Sequence, residues 1–170
     1  MKINKTSIPV DSLVCQFFPA NYSDAFECSF NSQKEINPDD LQIAFWTKSP
    51  KWIDNLFKIR NRLVQLVGLD NGKSKVEDLE DCIRNNKKHS IFSVACKSEN
   101  ETVMKLSDKH LDAYMSIYVS DKEDNLKTVC VITVVHIHNL LGYLYFYSIC
   151  PFHQVVVKGM LKYLIQNLSK

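Results

Sequence analysis

The sequence has few glycines and prolines and no long run of apolar residues. Four glycines and five prolines occur among 170 residues, so no linker-like tract divides the chain, and each of these residues is a local turn or helix-end signal. Apolar runs stay below the roughly 18 residues of a membrane span, which predicts that the chain has none. The opening "MKINKTSIPV" has no apolar stretch of the kind found in signal peptides. We therefore expect a cytoplasmic protein.

Charge and sequence motifs exclude several classes of function. The formal net charge is only +2 and is spread along the chain, which argues against a nucleic-acid partner. The six cysteines have no zinc-like spacing, so we expect reduced structural thiols and no metal site. The chain has no serine-elbow motif, HExxH, P-loop or G-x-G-x-x-G. No cofactor and no named reaction are predicted, and the balance is against an enzyme.

Helix-start signals occur in the first half of the chain. Asn37 followed by Pro38 predicts an N-cap and first helical residue for a short helix over about 38–47. The stretch "SPKWIDNLFKIRNRLVQLVG" repeats this start and ends on Gly68, which predicts a second helix. A third short helix is predicted in "SKVEDLEDCIRNN", which begins with a capping-box pattern.

Strand-like segments dominate the chain from residue 90. "SIFSVACK", "ETVMKLS", "HLDAYMSIYVS", "LKTVCVITVVHIH" and "GYLYFYSI" are rich in β-branched and aromatic residues. "DAFECSF" precedes the helices, and a C-terminal helix is predicted to start at Pro151. The predicted fold is α+β: a curved antiparallel sheet of six or seven strands wrapped on a long C-terminal helix, with two helices inserted after the first strand and "SLVCQFF" as the optional seventh strand. Residues 1–20 are predicted to be an N-terminal extension and 21–170 a single domain.

Three stretches carry a resemblance to a known family. "RNRLV", "SDKHLDAYMSIYV" and "TVVHIHNLLGYLYFYSICPFH" resemble a bacterial family catalogued as domain of unknown function 2867, over about residues 21–168. The resemblance implies relatives that occur alone or fused behind a short-chain-dehydrogenase-like domain. The element order also resembles the helix-grip fold of the START and Bet v 1 superfamily. That likeness implies an apolar cavity between the sheet and the C-terminal helix.

A surface rich in tyrosine and histidine is predicted on the outer face of the sheet. Asn139 and Gly142 suit the first and fourth positions of a type I turn between two strands. Strand alternation then places the apolar residues inside with Met115. Such an aromatic outer face is typical of packing under an N-terminal segment or of an interface, and we favour a homodimer or a dehydrogenase-like partner. The predicted interface residues are Tyr114, Tyr118, His136, His138, Tyr143 and Tyr145.

Two polar residues interrupt apolar helix stripes and are predicted to point inward. His153 lies in the stripe of the C-terminal helix and would either contact a ligand or bond to a backbone carbonyl. Arg60 lies in the stripe of the second helix and needs an anion. This is either a carboxylate of the chain, such as Asp24, Asp108 or Asp112, or a carboxylate or phosphate of a ligand. We predict an apolar or amphipathic small molecule as the partner. The predicted ligand-binding residues are Arg60, His153, Asp108, His110, Met115 and Trp52.

Two further interpretations concern chemistry. Asp108 and His110, together with His153, could form an acid–base couple of a hydrolase or cyclase, which requires the three side chains to converge. His136 and His138 have the i, i+2 spacing of metal ligands on a strand, but no third ligand is fixed by local spacing. No metal site is predicted there.

Overall fold

The structure, a computed structural model, describes residues 2–53, 55–56, 76–121 and 125–168. Arg60, Gly68 and most of the predicted second helix lie outside these ranges, although residues 51–53 and 55–56 are helical. The elements in chain order are β1 (Asn4–Lys5), a 3₁₀ helix (Leu13–Phe17), β2 (Tyr22–Asn31), α1 (Pro38–Thr47), α2 (Val76–Asn85), β3 (Phe92–Lys97), β4 (Glu101–Ser107), β5 (Leu111–Asp121), β6 (Leu126–Ile137) and α3 (Leu140–Leu168).

The strands form one curved, six-stranded antiparallel sheet in the order β1-β2-β6-β5-β4-β3. Strand β6 lies between β2 and β5, and its Thr133 is paired with Asp24 on one side and Met115 on the other. These three residues therefore form one row across the same face of the sheet. The predicted α+β class is confirmed, with the long C-terminal helix lying on the sheet.

The inner face of the sheet packs against α1 and α3. Alternate residues of β2, β5 and β6 point toward the helices, as predicted from the alternation around Met115. Burying each large apolar side chain contributes about 1.5–3 kcal/mol, so this layer holds the fold together. Its buried core includes Phe26, Leu41, Phe45, Met115, Ile117, Val129, Val131, Met160, Leu161, Leu164 and Ile165.

The outer face of the sheet is covered by the N-terminal segment, residues 8–20. The stretch "SLVCQFF" is not a seventh strand; it contains the 3₁₀ helix, capped by Ser12, whose hydroxyl accepts from the backbone N–H of Val14. Val14 is fully buried against the sheet. The outer-face residues in this cluster are Ala25, Val103, Tyr114, Tyr118, Cys130, Ile132 and Val134.

Helix α1 spans the residues predicted for it. The Asn37 side chain accepts from the backbone N–H of Asp39 at 2.8 Å, and Pro38 is the first helical residue. Asp39 and Asp40 lie in the first turn, where they favour the helix dipole. The predicted third helix is confirmed as α2. Its proposed capping box begins at Ser74, which lies outside the described residues.

Helix α3 begins at Leu140, eleven residues before its predicted start at Pro151. The Asn139 side chain accepts from the backbone N–H of Gly142 at 3.0 Å, so this asparagine is an N-cap and not the first residue of a hairpin turn. Pro151 lies inside the helix. The predicted strand "GYLYFYSI" is therefore wrong, and so is the placement of Tyr143 and Tyr145 on the sheet.

A close approach explains the glycine in the first turn of α3. A Cβ added at Gly142 would overlap the backbone carbonyl oxygen of His110 in the β4–β5 region. By length and composition α3 is long and apolar enough to cross a membrane, and among the described residues no other helix is. One face of α3 nevertheless packs into the inner core through Val157, Met160 and Leu164.

Candidate functional site

A cluster of polar side chains interrupts the apolar layer between the sheet and α3. It is named here the Asp24 cluster and contains Tyr22, Asp24, Thr133, His153 and Gln154. Strand alternation puts Asp24 on the inner face of β2, two residues before the core residue Phe26. His153 and Gln154 reach it from α3, and Thr133 is the direct neighbour of Asp24 on β6.

Hydrogen bonds and one histidine–carboxylate contact connect the cluster. The Tyr22 hydroxyl donates to Asp24 Oδ2 at 2.6 Å, and the Gln154 amide donates to the Tyr22 hydroxyl at 3.1 Å. His153 Nε2 lies 3.6 Å from Asp24 Oδ2 and 3.2 Å from Thr133 Oγ1. The Asp24 cluster is thus a chain of polar groups that converges on one carboxylate oxygen.

The second carboxylate oxygen of Asp24 has no partner within the part of the chain that the structure describes. Asp24 Oδ1 is buried and has no hydrogen-bond partner among the described residues, although a buried carboxylate oxygen ordinarily accepts at least one bond. The side chain of Asp24 is 1% exposed and that of His153 is 17% exposed. Among the described residues nothing donates to this acceptor, and the cluster reaches the surface beside the imidazole.

Electrostatics keep Asp24 ionised. Burial alone would raise the pKa of this carboxyl group, but the hydrogen bond and positive charge of His153, with the Tyr22 hydroxyl, outweigh it and lower the pKa below its ordinary value. The pKa of Tyr22 is raised, first by burial and then by its hydrogen bond to Asp24. At neutral pH the cluster presents a carboxylate beside a neutral phenol.

The predicted inward direction of His153 agrees with the geometry, but its polar partners differ from the expected ones. His153 lies in the middle of α3, which starts thirteen residues earlier. Its neighbours are Asp24 and Thr133 and not a backbone carbonyl. Asp24 itself was predicted only as a possible partner of Arg60. Period-two alternation along β2, applied from Phe26 backward, would have marked it as a core-facing carboxylate.

Within the described ranges, the other predicted ligand residues are not part of the Asp24 cluster. Met115 is buried in the inner core. Trp52 is 45% exposed and its ring lies against Gly159, where an added Cβ would overlap it. Arg60 lies outside the described residues.

Asp108 and His110 are separated from His153. Asp108 accepts from the backbone N–H of Lys109, and His110 Nδ1 lies 3.0 Å from the side-chain oxygen of Asn139, just before α3. His153 is eleven positions after Gly142, which packs on His110, and this corresponds to about 16 Å along the helix axis. The three side chains required for the predicted hydrolase or cyclase site do not converge.

The residues of the predicted interface occupy two separate places. Tyr114 and Tyr118 are buried under the N-terminal segment, where Tyr114 stacks on Phe17 with ring centroids 3.9 Å apart. The Tyr118 hydroxyl donates to Asp11 at 2.7 Å. The outer tyrosines of β5 thus contact the chain's own N-terminal segment. This is the packing that the sequence supported as the alternative to a partner interface. Tyr143 and Tyr145 lie on α3.

A cleft lies where the N-terminal segment meets the end of β6. Its volume is about 510 Å³, and its polar lining includes Asn21, Asp112, His136 and His138. His136 Nε2 lies 2.8 Å from the Phe17 carbonyl oxygen, and Asp112 pairs with Lys105 at 2.9 Å and with His138 at 3.7 Å. These groups are already paired. Among the described residues, no three His, Cys, Asp or Glu side chains are grouped as metal ligands.

Comparison with known protein families identifies a match for this chain. A family whose description reads "Protein of unknown function (DUF2867)" matches residues 18–160, which is most of the chain. No curated protein matches. The matched range includes the whole of the Asp24 cluster, whereas residues 8–17 of the N-terminal segment precede it.

Proposed function

We propose, from the premise that this chain belongs to the family described as Protein of unknown function (DUF2867), that the domain binds a small amphipathic molecule beside the Asp24 cluster. The observation that carries the proposal is the buried carboxylate of Asp24, of which Oδ1 has no partner among the described residues. A ligand hydroxyl or amine that donates to this oxygen would satisfy it. The helix-grip-like arrangement of sheet and C-terminal helix supports a site between these two layers.

The surroundings of Asp24 favour a ligand with a short polar head and an apolar body. The Tyr22 ring packs on Phe146 with centroids 4.9 Å apart and meets His153 edge-on at 6.2 Å. These rings flank the polar groups and provide an apolar surface next to them. Tyr22, His153 and Gln154 are half-buried, so this end of the layer is the expected entry point.

Three compounds with the same ten-carbon chain test the chemistry of the polar head. Decylamine and 1-decanol carry a donor, whereas decanoate carries only acceptors and would meet the Asp24 carboxylate with like charge. We expect the amine and the alcohol, but not decanoate, to raise the melting temperature and to give saturable binding by calorimetry. If all three bind equally, or none binds, the proposal is wrong.

The variant Asp24→Asn tests the residue itself. It keeps the size of the side chain but removes the charge, and we expect decylamine affinity to fall at least tenfold, or about 1.4 kcal/mol. Asp121→Asn is the matched control, because the Asp121 side chain is 68% exposed on the far end of β5. Decylamine affinity that falls equally in both variants would point to non-specific attraction by surface charge. Native mass spectrometry of protein from its own host would show whether a donor-bearing molecule is retained.

A further inference from the structure

The first half of α3 exposes a continuous apolar stripe. One face of this helix is buried in the core, and the opposite face carries large apolar side chains at helical spacing. Asp, Glu, Lys and Arg are absent from the sequence between Asn139 and Val157. The exposed fractions are Leu140 84%, Tyr143 39%, Leu144 65%, Tyr147 53%, Phe152 58% and Val155 53%. These six residues are called the α3 stripe.

The area of the α3 stripe matches one side of a stable protein interface. With about 200 Å² for each large apolar residue and the fractions above, the stripe exposes on the order of 700 Å². The largest apolar patch on a typical monomer is about 300–600 Å², and a standard interface buries about 800 Å² on each partner. The stripe is therefore larger than a monomer ordinarily leaves in water.

We propose that the α3 stripe is the contact surface of a homodimer in which two copies of α3 pack antiparallel about a twofold axis between Tyr147 and Ser148. This proposal rests on the exposed apolar side chains of α3 and not on the Asp24 carboxylate, so it does not depend on the proposed ligand site. In a twofold contact the same surface meets itself. An axis between residues 147 and 148 therefore pairs each residue of one α3 with the residue of the second copy whose number brings the sum to 295. Leu140 then meets Val155 of the second copy, and Tyr143 meets Phe152.

The polar groups along α3 are compatible with this contact. At the axis, the Ser148 hydroxyl donates to the Leu144 carbonyl at 2.6 Å within its own helix, so burying it leaves no donor unpaired. Asn21 donates to the Tyr143 hydroxyl at 2.7 Å, which holds that ring in place. Lys158 falls opposite position 137 of the second copy, beyond the end of the partner helix, and so does not meet another lysine.

Charge argues for a second copy over a strongly charged partner. The stripe is uncharged along its length, and a homodimer pairs apolar groups with apolar groups without burying an unpaired ion. Lys158 and Lys162 lie on the exposed side of α3 beyond the stripe and stay in solvent in the antiparallel pair. An anionic membrane is the other surface that this combination would suit, and the experiment below separates the two.

Analytical ultracentrifugation of the whole chain and of Leu144→Glu tests the dimer. The chain has a mass of 19.6 kDa, and we expect the wild type at micromolar concentration to sediment at twice this mass and Leu144→Glu to sediment as the monomer. Val10→Glu is the control, because Val10 is 95% exposed away from α3, and it should stay dimeric. Circular dichroism melting checks that each variant is folded.

Cysteine cross-linking gives a second readout if Leu144→Glu does not fold. Ser148→Cys places a thiol beside its symmetry mate at the axis, so mild oxidation should join two chains. Gln166→Cys, which is exposed near the other end of α3, should not cross-link above the wild type, whose native cysteines provide the background. A monomeric wild type, or equal cross-linking of both variants, overturns the proposal. A monomer that sediments with phosphatidylglycerol vesicles, and loses this with Leu144→Glu, would assign the stripe to a membrane surface instead.

Discussion

Two buried carboxylates lie on opposite faces of the same sheet and differ in how many of their oxygens accept hydrogen bonds. On the outer face, both oxygens of Glu101 are occupied: Ser12 Oγ donates at 2.7 Å, the backbone N–H of Leu13 at 2.6 Å, and the Ser116 hydroxyl also donates. On the inner face, Asp24 has one oxygen without a partner among the described residues. The first carboxylate is a complete structural anchor for the N-terminal segment. The second carboxylate is the one on which the proposed ligand site rests.

The largest effect is expected for Glu101→Ala. This change leaves two hydroxyls and a backbone N–H buried without their acceptor, and each such donor costs about 1–3 kcal/mol. We expect the free energy of unfolding to fall by about 3–4 kcal/mol in urea titrations. Glu99→Ala, at an exposed position two residues earlier, should change it by less than about 0.5 kcal/mol. An equal fall in the free energy of unfolding in the two variants would show that Glu101 does not anchor the N-terminal segment.

A smaller loss is expected for Asp24→Ala. The Tyr22 hydroxyl and His153 lose their acceptor, but both are half-buried and can bond to water, so about 1–2 kcal/mol is expected near pH 7. A loss as large as that of Glu101→Ala would show that Asp24 is equally structural.

The effect of Asp24 on stability should also depend on pH. The pKa of this carboxyl group is lowered in the folded chain by His153 and Tyr22 despite the opposing effect of burial, so the native state binds its proton less readily than the unfolded state. The resulting stabilisation is present above the unfolded pKa of about 3.9 and is lost as the pH falls through the lower native value. Urea titrations between about pH 2 and pH 7 should show a shallower acid loss in Asp24→Ala than in wild type. Asp121→Ala is the control with an exposed carboxylate.

The smallest effect is expected for Tyr118→Phe, on the outer face. The Asp11 carboxylate accepts from the Tyr118 hydroxyl at 2.7 Å, and this bond, with burial, raises the pKa of Tyr118 to about 12. Removing the hydroxyl should cost about 1 kcal/mol below pH 10. Because the raised pKa favours the protonated native state, this contribution disappears as the pH rises from about 10 to 12, and the two proteins should converge there. A constant difference across that range would contradict the assignment.

Most of the fold could be predicted where the local signals have a single meaning. Asn37 and Pro38 suit only a helix start, and α1 lies where they predict it. The alternation around Met115 assigned the inner face correctly, since a one-residue slip would expose an entire apolar row.

The prediction failed at the start of α3, because the sequence signals there fit two different structures. An asparagine followed three residues later by glycine fits both a type I turn and the first turn of a helix, because the backbone angles of the two are nearly the same. The tyrosines that follow favour strands, yet packing of α3 on the sheet and of Gly142 against the His110 carbonyl overrides this preference. Strand alternation could have marked Asp24 as core-facing, but its contact with His153, 129 residues away, is recorded by no local spacing.

The N-terminal segment binds the outer face of the sheet as an intramolecular ligand. Residues 8–17 precede the part of the chain matched by the family, yet they cover the outer face through Val14 and Phe17. A connection of only a few residues joins them to β2, which corresponds to an effective concentration on the order of millimolar or higher. Even modest contacts keep the segment bound under these conditions. Cut from the chain, the same ten residues would have to compete for that face at their own affinity.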